Sequence, residues 1–261
     1  MSVQVEEQGK DAGIKGAQTL MRALDILDEV IGGPVKAVEL ARKLDLSKTT
    51  THRLAQALKS RDYLAATRDG YSLGPKLLQL GAMALEQTDF VQVARPFMEA
   101  LSDRTSFCVF VGKREGDWSR HLERVTGRQR LRVSTSPGDR RPIVETGLGK
   151  ALLLDEDLAT LESIYRHVKG DAFESPKMAA WLDEMQGHIS RGVVLHSSDL
   201  GDGVRSIAAP VRDAMGRICI ALSIAGAALY LSDDVMQSLS EEVQRTAAEI
   251  SAACGHRPIA R

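Results

Sequence analysis

The 261-residue chain has three cysteines, Cys108, Cys219 and Cys254, and no CxxC pair. That spacing argues against a zinc ribbon or finger, and so sparse and odd a count fits a reducing compartment, here taken as the cytoplasm. No apolar run approaches the roughly eighteen residues of a membrane-spanning helix, and no signal-type apolar segment follows Met1. HExxH, a Walker loop and a dinucleotide-binding fingerprint are all missing. His121, His167, His188 and His196 lack metal-ligand spacing. The expectation is a protein that is not an enzyme and that needs no cofactor or metal.

One local absence says more. Between Asp45 and Asp62 there is no carboxylate. A solvated helix usually mixes charge signs, whereas a helix laid against phosphates excludes acids. The charge balance agrees. Residues 17–76 hold ten basic and seven acidic side chains, while residues 77–261 hold 22 basic and 25 acidic. A mildly basic head on a mildly acidic body fits nucleic-acid contact by the head alone.

Within residues 34–76 the pattern is helix, turn, helix, hairpin. A first helix is expected over Val38–Leu44, with Val38, Ala41 and Leu44 as its apolar face. Asp45-Leu46-Ser47 makes the turn, and Ser47 suits an N-cap. A second helix is expected over Lys48–Arg61, with Leu54 and Leu58 inward. Its outward face begins with Lys48, Thr49, Thr51, His52 and Arg53, hydroxyls and cations of the kind that meet base edges and phosphates. Residues 63–66 and 70–73 read as strands joined through Asp69-Gly70, a hairpin signal that places Arg68 at the tip of a wing. A supporting helix over Thr19–Ile31, capped by Thr19, buries Leu20, Ala23, Leu24, Leu27 and Val30. Arg22 on it is a candidate phosphate contact or a solvated residue. Together these features predict a winged helix-turn-helix that binds double-stranded DNA. Its DNA-facing residues are Arg22, Ser47, Lys48, Thr49, Thr51, His52, Arg53 and Arg68.

The expected organisation is a mobile tail over 1–16, the DNA-binding domain over 17–76, a linker helix over 77–89 and a second domain over 90–261. The second domain reads as an antiparallel α+β fold. Its strands are expected near 107–112, 118–125, 192–196, 204–211 and 218–225. Helices are expected over 91–105, 147–154, 178–191 and 232–254, with another beginning at Asp155-Glu156-Asp157. In the strand 218–225, alternation puts Cys219, Ala221, Ser223 and Ala225 on one face and Ile218, Ile220, Leu222 and Ile224 on the other. The small face is either the floor of a pocket or a face that a close-packed helix covers. Gly147 and Gly149 open a helix, as glycines do where amides approach an anion, or simply where a turn is needed. His196 and Ser206 share that space if the last three strands are neighbours.

Five segments carry a family resemblance: RALDIL at 22–27, ELARKLDLSKTTTHRLAQAL at 39–58, YSLGPKLLQLG at 71–81, GLGKALL at 147–153 and ALSIAG at 221–226. In that order and spacing the chain resembles an IclR-type transcriptional regulator. The resemblance implies a winged helix-turn-helix, a linker helix and a C-terminal effector-binding domain with a GAF/PAS-like antiparallel sheet flanked by helices. It implies a homodimer on a pseudo-palindromic operator, or a tetramer built as a dimer of dimers, with repression or activation as the output. It places Gly147, Leu148, His196, Ser206, Ser223 and Ala225 in the effector pocket, to which the strand pattern adds Cys219. The resemblance implies that some acid-binding members carry Asp, Cys and Ser where this chain has His196, Ser206 and Ala225. The departure points to a larger, partly apolar acid such as an aromatic carboxylate. Two other readings are a protein-interaction sensor with no ligand of its own and an enzyme with a DNA-binding head.

Overall fold

The computed structural model describes residues 17–198 and 201–257. The tail over 1–16 that the sequence reading takes as mobile lies outside the described residues. The chain divides into two compact units between Gln87 and Thr88.

The first unit contains α1 (Gln18–Glu29), α2 (Ala37–Lys43), α3 (Lys48–Lys59), the hairpin β1 (Leu64–Thr67) and β2 (Gly70–Leu73), and α4 (Pro75–Gln87). Its core gathers Ile26, Val30, Leu40, Leu54, Ala55, Leu64 and Tyr71. Burying each large aliphatic side chain contributes about 1.5–3 kcal/mol. α3 begins as expected, with the Ser47 hydroxyl accepting from the Thr50 amide at 3.1 Å. Its inward stripe is Thr51, Leu54, Ala55 and, half-buried, Leu58, the i, i+3, i+4, i+7 pattern of an amphipathic helix.

Three local details differ from the sequence reading. Thr19 lies inside α1, which starts after Ala17 without a side-chain cap. Leu20 and Leu24 are exposed, and Ile26 and Val30 take the inward positions. Val38 is exposed as well, while Leu40 and Ala41 are buried. A seven-residue helix is too short for a three-residue spacing to choose between adjacent faces. In the wing, Thr67 pairs with Gly70 across the two-residue turn Arg68-Asp69. Gly70 has φ +136°, and a Cβ there would meet the Val35 carbonyl oxygen at 2.3 Å. Only glycine permits that approach.

The second unit is α+β. In chain order it holds α5 (Phe90–Thr105), β3 (Cys108–Glu115), β4 (Trp118–Val125), β5 (Arg140–Pro142), α6 (Gly147–Ala151), α7 (Leu158–Lys169), α8 (Ser175–Arg191), β6 (Val194–Ser197), β7 (Val204–Arg212), β8 (Ile218–Ala227) and α9 (Asp233–Ala253). Six strands form one sheet in the order β5-β4-β3-β8-β7-β6, with every neighbouring pair antiparallel. One face packs Val109, Val111, Ile207, Ala209, Val211, Ile220, Leu222 and Ile224 against α5 and α9. On the other, Val194, Ala208 and Ala221 pack under α6, α7 and α8. The remainder of that second face carries Phe110, Ser206, Ser223 and Ala225, and there the helical cover stops.

Candidate functional site

In the first unit, Ser47, Lys48, Thr49, His52, Arg53 and Arg68 are exposed and Arg22 is half-buried. Among the described residues no ion pair engages Lys48, Arg53 or Arg68, so their charges are not neutralised within the fold. Thr51 is a correction. It is 0% exposed, and its hydroxyl donates to the Ser47 carbonyl at 3.1 Å. The residue three before Leu54 and seven before Leu58 must share their inward face.

In the second unit a cavity of about 320 Å³ opens on the second face of the sheet. Neighbouring strands line up its floor. His196 pairs with Ser206, Ser206 with Ala225, and Ser223 with Phe110. Thr146, Gly147 and Leu148 cross above, and Arg132–Thr135 close one side. The six predicted residues Gly147, Leu148, His196, Ser206, Ser223 and Ala225 all line this space.

Cys219 does not. The β7–β8 register slips at Val211/Arg212, so that Arg212 faces Ile218 and Val211 faces Ile220. This bulge puts Cys219 on the α5/α9 side, where its thiol donates to the Val211 carbonyl at 3.4 Å. Burial pushes that thiol up to about 12, which leaves it unreactive. The glycine reading also changes. A Cβ on Gly147 would lie 2.3 Å from Ser206 Oγ, and one on Gly149 would lie 2.1 Å from the Ile143 carbonyl oxygen. The Gly149 amide donates to Thr146 Oγ1 at 2.9 Å. These glycines serve close packing of a short helix on the sheet.

The cavity also has walls that the sequence reading missed. His121, on β4, stands edge-on to Phe110 with ring centroids 5.4 Å apart. Burial lowers its pKa to about 4, against an opposing pull from Asp139 and with a further push from Arg141. Its Nδ1 has no hydrogen-bond partner among the described residues. Alternation in Trp118–Val125 puts Ser119 and His121 on the inward face, a signal that a search for metal spacing passes over. Arg132 and Arg141 stand exposed at the rim. Behind His196, Lys150 is only 2% exposed. Its ammonium lies 2.7 Å from Glu184 Oε2 and 3.3 Å from His196 Nδ1. Burial raises the Glu184 carboxyl, but the His188 hydrogen bond and the Lys150 charge outweigh it and hold the group at about 2.

The model of the IclR helix-turn-helix domain matches residues 19–68, and that of the bacterial transcriptional regulator IclR C-terminal domain matches residues 82–252. The chain belongs to the IclR family. It is a DNA-binding transcriptional regulator with an α+β C-terminal domain. The transcriptional regulator BhcR of Paracoccus denitrificans is 27% identical over 96% of this chain and 95% of that protein. The repressor AllR of Escherichia coli is 29% identical over 95% and 94%. Among solved structures, the Agobacterium tumefaciens repressor BlcR superposes with a TM-score of 0.74 at 26% identity, covering 93% of this chain and 99% of that one. Pseudomonas aeruginosa HmgR shares the fold, with a TM-score of 0.75 at 22% identity over 94% and 100%.

One motif in this IclR-family chain invites an enzymatic reading. Gly70-Tyr71-Ser72-Leu73-Gly74 carries the letters of a G-x-S-x-G nucleophile elbow. Ser72 instead sits within β2, paired with Ala65 of β1, and not at a sharp strand-to-helix turn. No helix among the described residues is long and apolar enough to cross a membrane.

Proposed function

We propose that this regulator binds a small organic acid in the cavity of its second unit, and that binding changes its grip on a pseudo-palindromic operator. The observation that carries the reading is the cavity itself. Its volume lies in the range of small-molecule sites, about 300–1,000 Å³. Its lining combines hydroxyls at Ser206 and Ser223, two rim guanidiniums at Arg132 and Arg141, and an apolar zone of Phe110, Val133 and Leu148. Guanidiniums suit a carboxylate. The volume exceeds what a two-carbon acid fills, and the Phe110 and His121 rings favour an aromatic carboxylate. Because the ligand must distinguish two arrangements of the protein, it changes operator affinity only by its difference in affinity for them.

The regulator acts as a homodimer, or a tetramer of two such dimers. Leu20, Met21 and Leu24 on α1 and Leu78, Leu80, Met83 and Leu85 on α4 are exposed, and α4 has no buried residue. A second copy covering these faces would bury them. Two-fold heads then read half-sites about 10 bp apart, or a multiple of that. The output is repression, as the names of AllR and BlcR state for those relatives.

The test is thermal unfolding in the presence of benzoate, phenylacetate, pyruvate and glyoxylate. A ligand that binds only the folded form raises Tm with concentration. A benzoate or phenylacetate shift that Ser223→Ala weakens supports the reading. Tight glyoxylate or pyruvate binding with none to the aromatic acids sinks the aromatic assignment. No shift with any acid sinks the acid-binding cavity and turns attention to a ligand-free interaction sensor.

A further inference from the structure

Two histidines line the cavity, and their surroundings differ. His196 Nδ1 has the Lys150 ammonium 3.3 Å away. His121 Nδ1 is closed off from water and has no hydrogen-bond partner among the described residues. The polar groups near it are engaged with one another. Ser119, on the same inward face of β4, donates to the Arg141 carbonyl at 3.2 Å and lies 3.3 Å from Thr146 Oγ1. Thr146 Oγ1 in turn accepts from the Gly149 amide at 2.9 Å. The His121 backbone is satisfied as well. Its amide donates to the Asp139 carbonyl at 2.9 Å, and its carbonyl accepts from the Gly138 amide at 2.8 Å. The imbalance therefore lies in the imidazole ring.

A buried polar atom left without a partner is costly, and native structures keep few of them. His121 is only 8% exposed and packs at 82° to the Phe110 ring. A phenylalanine or leucine would fill that space without the cost. What an apolar side chain could not offer is a hydrogen bond to the cavity's occupant. The chemistry of the ring narrows the occupant. Burial keeps the imidazole neutral, against the pull of Asp139 and with a further push from Arg141. A neutral imidazole has one N–H and one bare nitrogen. With no partner on Nδ1, nothing on that side fixes which nitrogen carries the proton. A half-turn about the Cβ–Cγ bond exchanges Nδ1 with Cδ2, so that nitrogen is not confined to its sealed edge. A carboxylate only accepts, and the guanidiniums of Arg132 and Arg141 at the rim already suit it. A hydroxyl both donates and accepts, so it satisfies the ring in either tautomer. We propose that His121 is a specificity-determining residue of the cavity, the hydrogen-bond partner of a hydroxyl on the ring of an aromatic acid whose carboxylate meets the rim guanidiniums. The inference deepens the reading of the cavity as an aromatic-acid site and rests on it.

The test is calorimetric titration of the full-length protein with benzoate and with the ortho, meta and para hydroxybenzoates. At least one isomer should bind the wild type about 10-fold more tightly than benzoate, the gain expected from a hydrogen bond to a buried polar group. His121→Phe keeps a ring beside Phe110 and removes both nitrogens. It should bind benzoate as the wild type does and lose the preference for the hydroxyl. If His121→Phe fails to fold, spectra of the wild type labelled with ¹⁵N-histidine decide. The preferred isomer should move the ring-nitrogen signal that His121→Asn removes, and benzoate should leave that signal in place. An equal response to the two acids overturns the proposal. So does a wild type that binds no isomer more tightly than benzoate, or a preference that survives in His121→Phe. Those three results leave the aromatic-acid cavity standing. If neither benzoate nor any isomer binds, the reading of the cavity and the role of His121 fall together.

Discussion

Gly147→Ala puts the close approach of α6 to the sheet on trial. A Cβ at that position would sit 2.3 Å from Ser206 Oγ and 3.0 Å from His196 Cβ. The first distance is about an ångström inside ordinary contact, and Ser206 is itself buried. Either the hydroxyl rotates away or α6 lifts from the floor. Overpacking of this kind costs about 1–3 kcal/mol. Removing the hydroxyl with Ser206→Ala takes away the 2.3 Å clash and leaves the added methyl 3.5 Å from Ser206 Cβ, an ordinary contact, and 3.0 Å from His196 Cβ, a tight one that keeps part of the loss. The double variant should therefore lose less than the two single losses added together, with a coupling of about 1 kcal/mol or more. Intrinsic fluorescence suits the measurement, because both tryptophans, Trp118 and Trp181, belong to the second unit. Gly147→Ala alone should lower its Tm by about 3–9 °C. Strictly additive losses would refute the argument, since they would show that the clash with Ser206 is not what demands glycine.

Two further predictions follow from charge. His121 titrates at about 4 in the folded chain, below its ordinary 6.5, because burial disfavours the imidazolium. The unfolded chain then takes up a proton that the folded chain refuses, so stability falls as pH drops from 6.5 towards 4. The loss reaches about 3 kcal/mol at pH 4, from ~1.4 kcal/mol per unit. His121→Asn should flatten that limb of the fluorescence-monitored stability curve, and an unaltered limb would remove His121 as its cause. Arg53→Ala tests the head. If Arg53 meets a phosphate, the slope of log K against log salt for duplex DNA falls by about 0.9, which is roughly fivefold in affinity at 0.15 M salt. If it meets a base edge, the slope holds and operator discrimination weakens instead. Unchanged slope and unchanged discrimination would rule out both contacts.

What could be read in advance divides by the range of the interaction. The helix-turn-helix is a local object. The Ser47 cap, the acid-free run from 46 to 61 and the turn between Thr67 and Gly70 each act within a few residues, so composition and spacing reveal them. Thr51 was legible too, because it shares the i, i+3, i+4, i+7 stripe with Leu54, Ala55 and Leu58. A hydroxyl on a DNA-facing helix drew it to the wrong side, and periodicity is the stronger constraint. Cys219 was not legible. Perfect alternation assigns it to the cavity, and a bulge set by pairing with β7 reverses one residue without any mark in β8 itself. The cavity is non-local throughout. Lys150 is 34 residues from Glu184 and 46 from His196, and His121 meets Phe110 only because β3 and β4 fold back on each other. No periodicity within a strand encodes those meetings. The glycine at 147 shows how the two ranges join. Its place before a helix is visible in the sequence, yet its reason is Ser206, a side chain that reaches it only when β7 lies beneath α6. A residue type can thus be legible while the force that selects it is not, and mutating the pair rather than the glycine alone is what separates a turn requirement from a packing requirement.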